Sequence, residues 1–374
     1  MSSFEVLASS YRDSRYITNL VKHINQRAKS LCEPIHVMEV CGGHTHAIMK
    51  YGLNQLLTKN IKFIHGPGCP VCIMPKERID HAVILAKKPN TILVTLGDMI
   101  RVPGSKQSLA QCRAEGGSVE AVYDPLDTLE IARQHPDCDV VFFAIGFETT
   151  TPMTAVLVRR VLDEGLGNVY FHINHVVVPP AMDAVLASGD AIVNAFIAPS
   201  HVSAITGYKI YQPIVDKYSI PLVVAGFEPI DILLALEQLV EMKLEGRAEL
   251  GNQYDRVVTE QGNLHSQQLV DTYFEPRPSF NWRGLGEISH SALRLREAYS
   301  LLDAEKQFAA ILPQLPVEDL KKCCCGEILK GLKSPCDCVL FGKSCKPTKP
   351  IGSCMVSSEG ACNAYYRYAS VLES

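Results

Sequence analysis

Five times between residues 35 and 235 a short apolar run rich in β-branched residues ends at a glycine and a polar or charged residue, and a helix-like stretch follows. The runs are Ile35 to Val40 before CGGHTH, Ile61 to Ile64 before HGPGCPVC, Thr91 to Leu96 before GDMIRVPG, Val140 to Ile145 before GFETTTP, and Leu222 to Ala225 before GFEPID. Strand-like runs alternating with helical stretches predict βαβ units and parallel sheets. Two runs end in the same Gly-Phe-Glu triplet, which suggests two related α/β domains meeting near Asp137-Cys138-Asp139. In open parallel sheets ligands bind beyond the carboxyl ends of the strands, where loops bring polar groups together without breaking the core. All five motifs sit at such an end.

From residue 232 to 310 the pattern turns helical. LLALEQLVEMKLEGRAEL and HSALRLREAYSLLDAEKQFAAIL both carry apolar residues at three and four spacing, predicting helices that pack a third domain onto the others. The last stretch, KKCCCGEILKGLKSPCDCVLFGKSCKPTKPIGSCMVSSEGACNAYYRY, is dense in Cys, Gly, Pro and Lys and lacks apolar periodicity, so it cannot form an ordinary core. Such a segment is held together by a metal or cluster whose binding energy replaces hydrophobic burial. The organisation implied is a helical extension over 1–34, an α/β domain over 35–136 with the CGGHTH and CPVC motifs, a second α/β domain over 137–235, and a helical and Cys-rich iron–sulfur domain over 236–374. The fold class is α/β: two related parallel-sheet α/β domains plus a C-terminal, mostly helical and loop iron–sulfur domain.

A chain of 374 residues, 47% hydrophobic, can bury at least one large core. Its formal charge of −4 gives no broad basic field to neutralise phosphates, so protein or small-ligand partners are expected rather than nucleic acid. No segment reaches the roughly 20 uninterrupted apolar residues of a membrane span. MSSFEVLASSYRDSRY lacks the basic-then-apolar layout of a signal peptide, and the expected location is the cytoplasm. In that reducing compartment the fourteen cysteines are better explained by metal ligation or redox chemistry than by structural disulfides.

Eight of them crowd together: Cys323, Cys324, Cys325, Cys336, Cys338, Cys345, Cys354 and Cys362. Iron–sulfur clusters take four thiolates, and close pairs with distant singles let a loop wrap a cuboidal cluster. The spacing matches neither ferredoxin run; it resembles the C-x-C pairs of ferredoxin:thioredoxin reductase, in which a cluster sits beside a redox-active disulfide. A structural zinc site is the competing reading, and the excess over four cysteines favours the cluster. In HGPGCPVC, Cys69 and Cys72 form a C-x-x-C pair suited to a reversible disulfide or to two ligands of one metal, and a helix start would lower a thiol's pKa there. In CGGHTH, Cys41, His44 and His46 follow a strand, and a thiolate with nearby imidazole suits iron or another transition metal. Three donors are too few for a closed site, so a metal here would need outside ligands.

Weaker signals are Asp98, Glu148, His172, His175 and His201, each a polar group at a strand end that could line a cleft or simply cap a helix. There is no G-x-x-x-x-G-K-[ST], no G-x-G-x-x-G after a strand, no H-E-x-x-H and no G-x-S-x-G, so nucleotide hydrolysis, dinucleotide binding and serine catalysis have no support.

CGGHTH, HGPGCPVC, GDMIRVPG, IGFETTTP, INHVVVPPA, PSHVSAITG, VVAGFEP and PIGSCMVSSEGACNAYY, in this order from about residue 35 to the C-terminus, together resemble the HypD family of hydrogenase maturation proteins. The resemblance implies a scaffold on which the iron of nickel–iron hydrogenases acquires two cyanides and one carbon monoxide, as an Fe(CN)2CO group. It implies a complex with the chaperone HypC, cyanide arriving from HypF and HypE, and delivery to the hydrogenase large subunit, an assembly role rather than that of a conventional enzyme. Carried onto this sequence, Cys41 would hold the iron with His44 close by, and Cys69 and Cys72 would be a redox or iron-binding pair. Cys323, Cys338, Cys345 and Cys362 would ligate one [4Fe–4S] cluster beside a Cys325–Cys354 disulfide. Cys32, Cys112, Cys138, Cys324 and Cys336 would be extras, with the triple cysteine at 323–325 leaving the ligand position open by one or two residues. The alternative is a stand-alone thiol–disulfide oxidoreductase of the ferredoxin:thioredoxin reductase kind.

Overall fold

The structure is a computed structural model and describes residues 13–313, 317 and 320–369. Two parallel sheets carry the fold. The first has the order β2-β1-β7-β8-β9, built from β1 (Ile35–Glu39), β2 (Ile61–His65), β7 (Ala195–Pro199), β8 (Leu222–Ala225) and β9 (Leu250–Asn252). The second has the order β4-β3-β5-β6, from β3 (Thr91–Leu96), β4 (Val119–Val122), β5 (Asp139–Gly146) and β6 (Val169–His175). The run DVVFFAIG shows why such strands read as unbroken apolar segments. Val141, Phe143 and Ile145 enter the core on one face, and Val140, Phe142 and Ala144 enter the core on the other.

The five expected strands are all present, but the sheets do not divide the chain at 136/137. That point lies between β4 and β5 of one sheet, and the first sheet draws β1 and β2 from the first expected domain, β7 and β8 from the second and β9 from the third. Register ties them together: β1 pairs with β7 through Val37 opposite Ala195 and Glu39 opposite Ile197. The second sheet is therefore an insertion between β2 and β7.

The helix Ser14–Ala28 opens with Asp13, whose side chain accepts hydrogen bonds from the amides of Arg15 (2.8 Å) and Tyr16 (3.0 Å). Its Leu20, Val21 and Ile24 pack beside Leu236 and Leu239 of the helix Pro229–Leu244 over the first sheet. That second helix thus covers the first sheet, although its sequence pattern pointed to a third domain. In HSALRLREAYSLLDAEKQFAAIL the helical expectation holds only from Glu297 onward, in the short turns Glu297–Leu302 and Ala304–Gln307. Leu293–Leu295 forms β13, antiparallel to β10 (Phe274–Pro276), with Glu275 opposite Arg294 and paired to it at 2.8 Å. The apolar positions there alternate across a strand, and burial of Leu295 beside Phe274 outweighs the helical spacing. A second hairpin joins β11 (Ser279–Trp282) to β12 (Gly286–Ser289) around the fully buried Trp282, whose Nε1 donates to Ser291 Oγ at 2.8 Å.

The Cys-rich segment has only short helical turns, at Cys325–Leu329, Pro335–Asp337 and Ser353–Met355, before the helix Ala361–Tyr368. It packs on the α/β body instead of standing apart: its cysteines share a core with Met38, Ile73 and Trp282.

Candidate functional site

In each sheet the strand order reverses once, between β1 and β7 and between β3 and β5, and crevices form where neighbouring crossovers lead away from each other. Here both crevices open into one cavity of about 510 Å³. Cys41 and His201 line it from the first sheet; Asp98, Gly146 and Phe147 line it from the second. Phe227 beyond β8 and Glu359 of the Cys-rich segment complete the polar and aromatic walls, and most of the remaining lining is apolar.

Cys41 is the extended residue (φ −150°) between β1 and the helix Gly42–Lys50. Its amide donates to Glu39 Oε2 at 3.1 Å, and its carbonyl accepts from the amides of His44 (3.0 Å) and Thr45 (3.2 Å). Glu39 is fully buried, and its other oxygen accepts from Thr45 Oγ1 and from His65 Nδ1 at 2.6 Å, its partner across β1 and β2. The HGPGCPVC loop lies directly against this turn. Gly42 N donates to Gly68 O at 3.0 Å, and a Cβ at Gly68 would stand 2.1 Å from the Cys41 amide nitrogen. Only glycine permits that approach. Burial, and then the Glu359 carboxylate, pushes the Cys41 thiol well up, so Cys41 rests as a thiol until a cation displaces its proton.

The two histidines near Cys41 differ. His44 is fully buried under the cavity floor, outside the lining: its Nε2 donates to Gly226 O (2.9 Å) and Ala225 O (3.2 Å), and its Nδ1 has no hydrogen-bond partner. His201 faces the cavity, with Nδ1 3.9 Å and Nε2 4.0 Å from Cys41 Sγ. Burial lowers both to about 4, so at neutral pH each imidazole is uncharged. Phe227 lies between them, 4.7 Å from the His44 ring and 5.1 Å from the His201 ring. His46 is turned away, its Nδ1 3.4 Å from Ser358 O.

Cys69 precedes the short helix Pro70–Ile73, and Cys72 lies in it; both are buried. Cys69 faces a second cavity of about 630 Å³, across Pro70 and Val71 from the first, with Arg101, Tyr123 and Ser357 on its walls. From Cys72 a string of thiols runs inward. Cys72 is within hydrogen-bond reach of Cys69 and Cys354, Cys354 of Cys325, and Cys325 of Cys362, while Cys323 and Cys325 stand 3.3 Å apart. Donation from Cys325 and Cys72 lowers Cys354 to about 6, whereas burial pushes Cys72 well up. The depressed thiol is thus Cys354 and not Cys72 of the C-x-x-C pair, which is desolvated. Cys325 and Cys354 are adjacent but stand as free thiols.

A small cavity is lined by Cys323, Cys325, Cys338, Cys345 and Cys362, with Ile328, Leu340, Phe341 and Met355 around them. Gly352 forms part of this cage; a Cβ there would lie 2.5 Å from Cys325 Sγ and 2.8 Å from Cys323 Sγ. Among the described residues no three His, Cys, Asp or Glu side chains are grouped as a single metal ion requires. Cys324 lies outside the cage beside Cys338 and 3.9 Å from Lys333 Nζ. Cys32 and Cys336 are exposed, Cys138 is half-buried and Cys112 is buried near Gly117, all away from the site.

Of the weaker signals, Asp98 lines both cavities and pairs with Arg101 at 2.6 Å. Glu148 is half-buried behind the cleft, its carboxyl turned inward: Oε1 accepts from the Val178 amide at 2.8 Å, Oε2 has no partner, and desolvation raises its pKa to about 7. His172 and His175 are interior, bonded to His81 Nδ1 (3.1 Å) and Thr154 Oγ1 (2.8 Å). Glu359 and Phe227 were not foreseen. Phe227 belongs to the repeated Gly-Phe-Glu triplet, a signal that was available, but no local pattern marks Glu359. Among the described residues no helix is long and apolar enough to cross a membrane.

The family model HypD, described as "Hydrogenase formation hypA family", matches residues 15–369. The chain is 52% identical over 338 residues to a hydrogenase maturation factor HypD of Azotobacter vinelandii, covering 89% of each chain. It is 46% identical to the Rhodobacter capsulatus HypD over 96% of this chain and 97% of that one. Against the Escherichia coli (strain K12) HypD it is 44% identical over 96% of both.

Proposed function

The chain belongs to the HypD family of hydrogenase maturation factors, and from that premise we propose that it is the scaffold on which the active-site iron of a nickel–iron hydrogenase is assembled as Fe(CN)2CO. The iron is cargo. It is held by Cys41 together with a cysteine of HypC, receives cyanide from HypE and HypF, and passes on toward the hydrogenase large subunit.

The observation that carries this reading is Cys41, the one thiol in a mostly apolar cavity where the strand ends of both sheets converge. A single protein thiolate leaves most coordination positions of an iron to outside ligands, and apolar walls suit uncharged or weakly hydrated diatomic ones. Neutral His201 can donate a hydrogen bond to a ligand on the iron.

The cage fits a [4Fe–4S] cluster: five thiols surround one small apolar hollow, a cradle that a side chain at Gly352 would fill. Cys323, Cys338, Cys345 and Cys362 would hold it, leaving Cys325 to the string that leads to Cys354, Cys72 and Cys69. When bound, such a cluster supplies electrons one at a time. The thiol string converts between disulfide and dithiol with two electrons and two protons, and Cys354, readily ionised, is its natural attacking sulfur.

Complementation of a strain lacking its own family member tests the reading. Cys41→Ala and the Cys69→Ala, Cys72→Ala double variant are both expected to leave hydrogenase immature. Full maturation by the double variant would remove the thiol relay; full maturation by Cys41→Ala would remove the scaffold and favour an oxidoreductase indifferent to that residue.

A further inference from the structure

The segment that carries most of the cysteine cage differs in charge from the rest of the chain. Between residues 321 and 349 there are seven lysines against two carboxylates, Glu327 and Asp337, a formal +5 in a chain whose total is −4. Lys321, Lys322, Lys343, Lys346 and Lys349 are exposed, and so is Lys333, which pairs with Glu327 at 2.9 Å. The patch has an apolar opening. A depression of about 260 Å³ reaches Cys323 and Cys325 from outside, with Lys321, Lys330 and Arg283 at its polar edge together with one carboxylate, Glu327, which Lys333 pairs. Leu320 and Leu332 flank it, 49% and 43% exposed, unusual positions for leucine in a segment so poor in apolar residues.

An apolar centre above a buried redox-active group, ringed by like charges, is the anatomy of a transient electron-transfer interface: the ring steers an oppositely charged partner and the centre lets it approach closely. We infer that this face docks a small acidic one-electron carrier protein, a deepening of the scaffold reading on which it rests. Each encounter would oxidise the carrier by one electron, which a centre held by the cage would pass on singly; reducing one disulfide of the thiol string to two thiols takes two such electrons and two protons. The partner is acidic because it must meet the cations at the depression, Lys321, Lys330 and Arg283, within a segment of formal charge +5, and a one-electron carrier because the depression opens on Cys323 and Cys325.

The test uses the full chain purified anaerobically with its brown chromophore, and an acidic [2Fe–2S] ferredoxin as probe. Binding is measured by calorimetry, and bleaching of the chromophore is followed with ferredoxin or with dithionite as reductant. Binding should weaken about tenfold or more as salt rises from about 50 to 300 mM. It should weaken similarly in the Lys321→Glu, Lys322→Glu, Lys330→Glu variant, whereas dithionite should bleach variant and wild type alike. If the triple variant does not fold, Lys322→Glu alone and the salt series give the same reading. Ferredoxin binding that is absent, insensitive to salt or unchanged in the variants overturns the proposal, as does tighter binding of duplex DNA to the same lysines. A wild type that holds no iron and sulfide would instead overturn the cage assignment, independently of docking.

Discussion

His201 Nδ1 stands 3.9 Å from Cys41 Sγ, although the two residues lie 160 positions apart and reach the cavity from different strands, β7 and β1. His44, three residues from Cys41 in sequence, is tied beneath the floor by the Gly226 and Ala225 carbonyls. The imidazole that meets whatever Cys41 binds is therefore His201, and His44 holds the floor in place.

The two histidines should separate in experiment. His44→Ala removes the donor to two buried carbonyls and is expected to cost about 1–3 kcal/mol in denaturant unfolding. His201→Ala should cost less stability but reduce iron retained with the protein after anaerobic gel filtration. Equal loss of stability in both, with iron unaffected by His201→Ala, would contradict this division.

Gly68→Ala should disable the site without touching a sulfur. Its Cβ would fall 2.1 Å from the Cys41 nitrogen and 2.3 Å from its Cα, atoms of a backbone anchored to Glu39, so the CPVC loop must withdraw. Loss of maturation in a soluble chain that still carries its brown chromophore is expected; wild-type maturation would show that the loops need not approach.

Among the cysteines, Cys345→Ala and Cys362→Ala should each abolish the chromophore and the bound inorganic sulfide, because both line the cage. Cys324→Ala and Cys336→Ala, outside it, should retain both. Iron and sulfide analysis of the four variants decides the ligand set.

What the sequence made legible follows from how local each signal is. The runs before CGGHTH, HGPGCPVC, GDMIRVPG, GFETTTP and GFEPID announce strands because burial on both faces demands apolar residues along the whole segment, as in β5. Nothing local records which strand lies beside which. The pairing of β1 with β7 therefore stayed hidden, and with it the discontinuous first sheet and the meeting of Cys41 with His201. Leu293 and Leu295 carry a spacing compatible with helix, and only β10 across from them decides for strand. Glu359 is part of the cavity because the helix Ala361–Tyr368 packs on Gly42–Lys50, a contact between the two ends of the chain.

Glu148 gives a pH signature. Its folded pKa, raised by burial from the ordinary 4.5 to about 7, means that folding favours the protonated carboxyl. That preference is fully satisfied below pH 4.5 and is lost as pH rises through 7, at about 1.4 kcal/mol for each pH unit between the two values. Glu148→Gln mimics the protonated form. The difference in unfolding free energy, variant minus wild type, should therefore grow between pH 4.5 and 7 and level off above it. A difference independent of pH would mean that the carboxyl ionises normally in the fold.

The central claim is that Cys41 anchors an iron carrying cyanide and carbon monoxide. Infrared spectra of the anaerobically purified complex with HypC, recorded where metal-bound cyanide and carbon monoxide absorb, test it directly in wild type and Cys41→Ala. Bands present in the wild type and absent from Cys41→Ala, with the brown chromophore equal in both, are the expected result. Bands that survive in Cys41→Ala, or that are missing from a wild type with its chromophore intact, would contradict it.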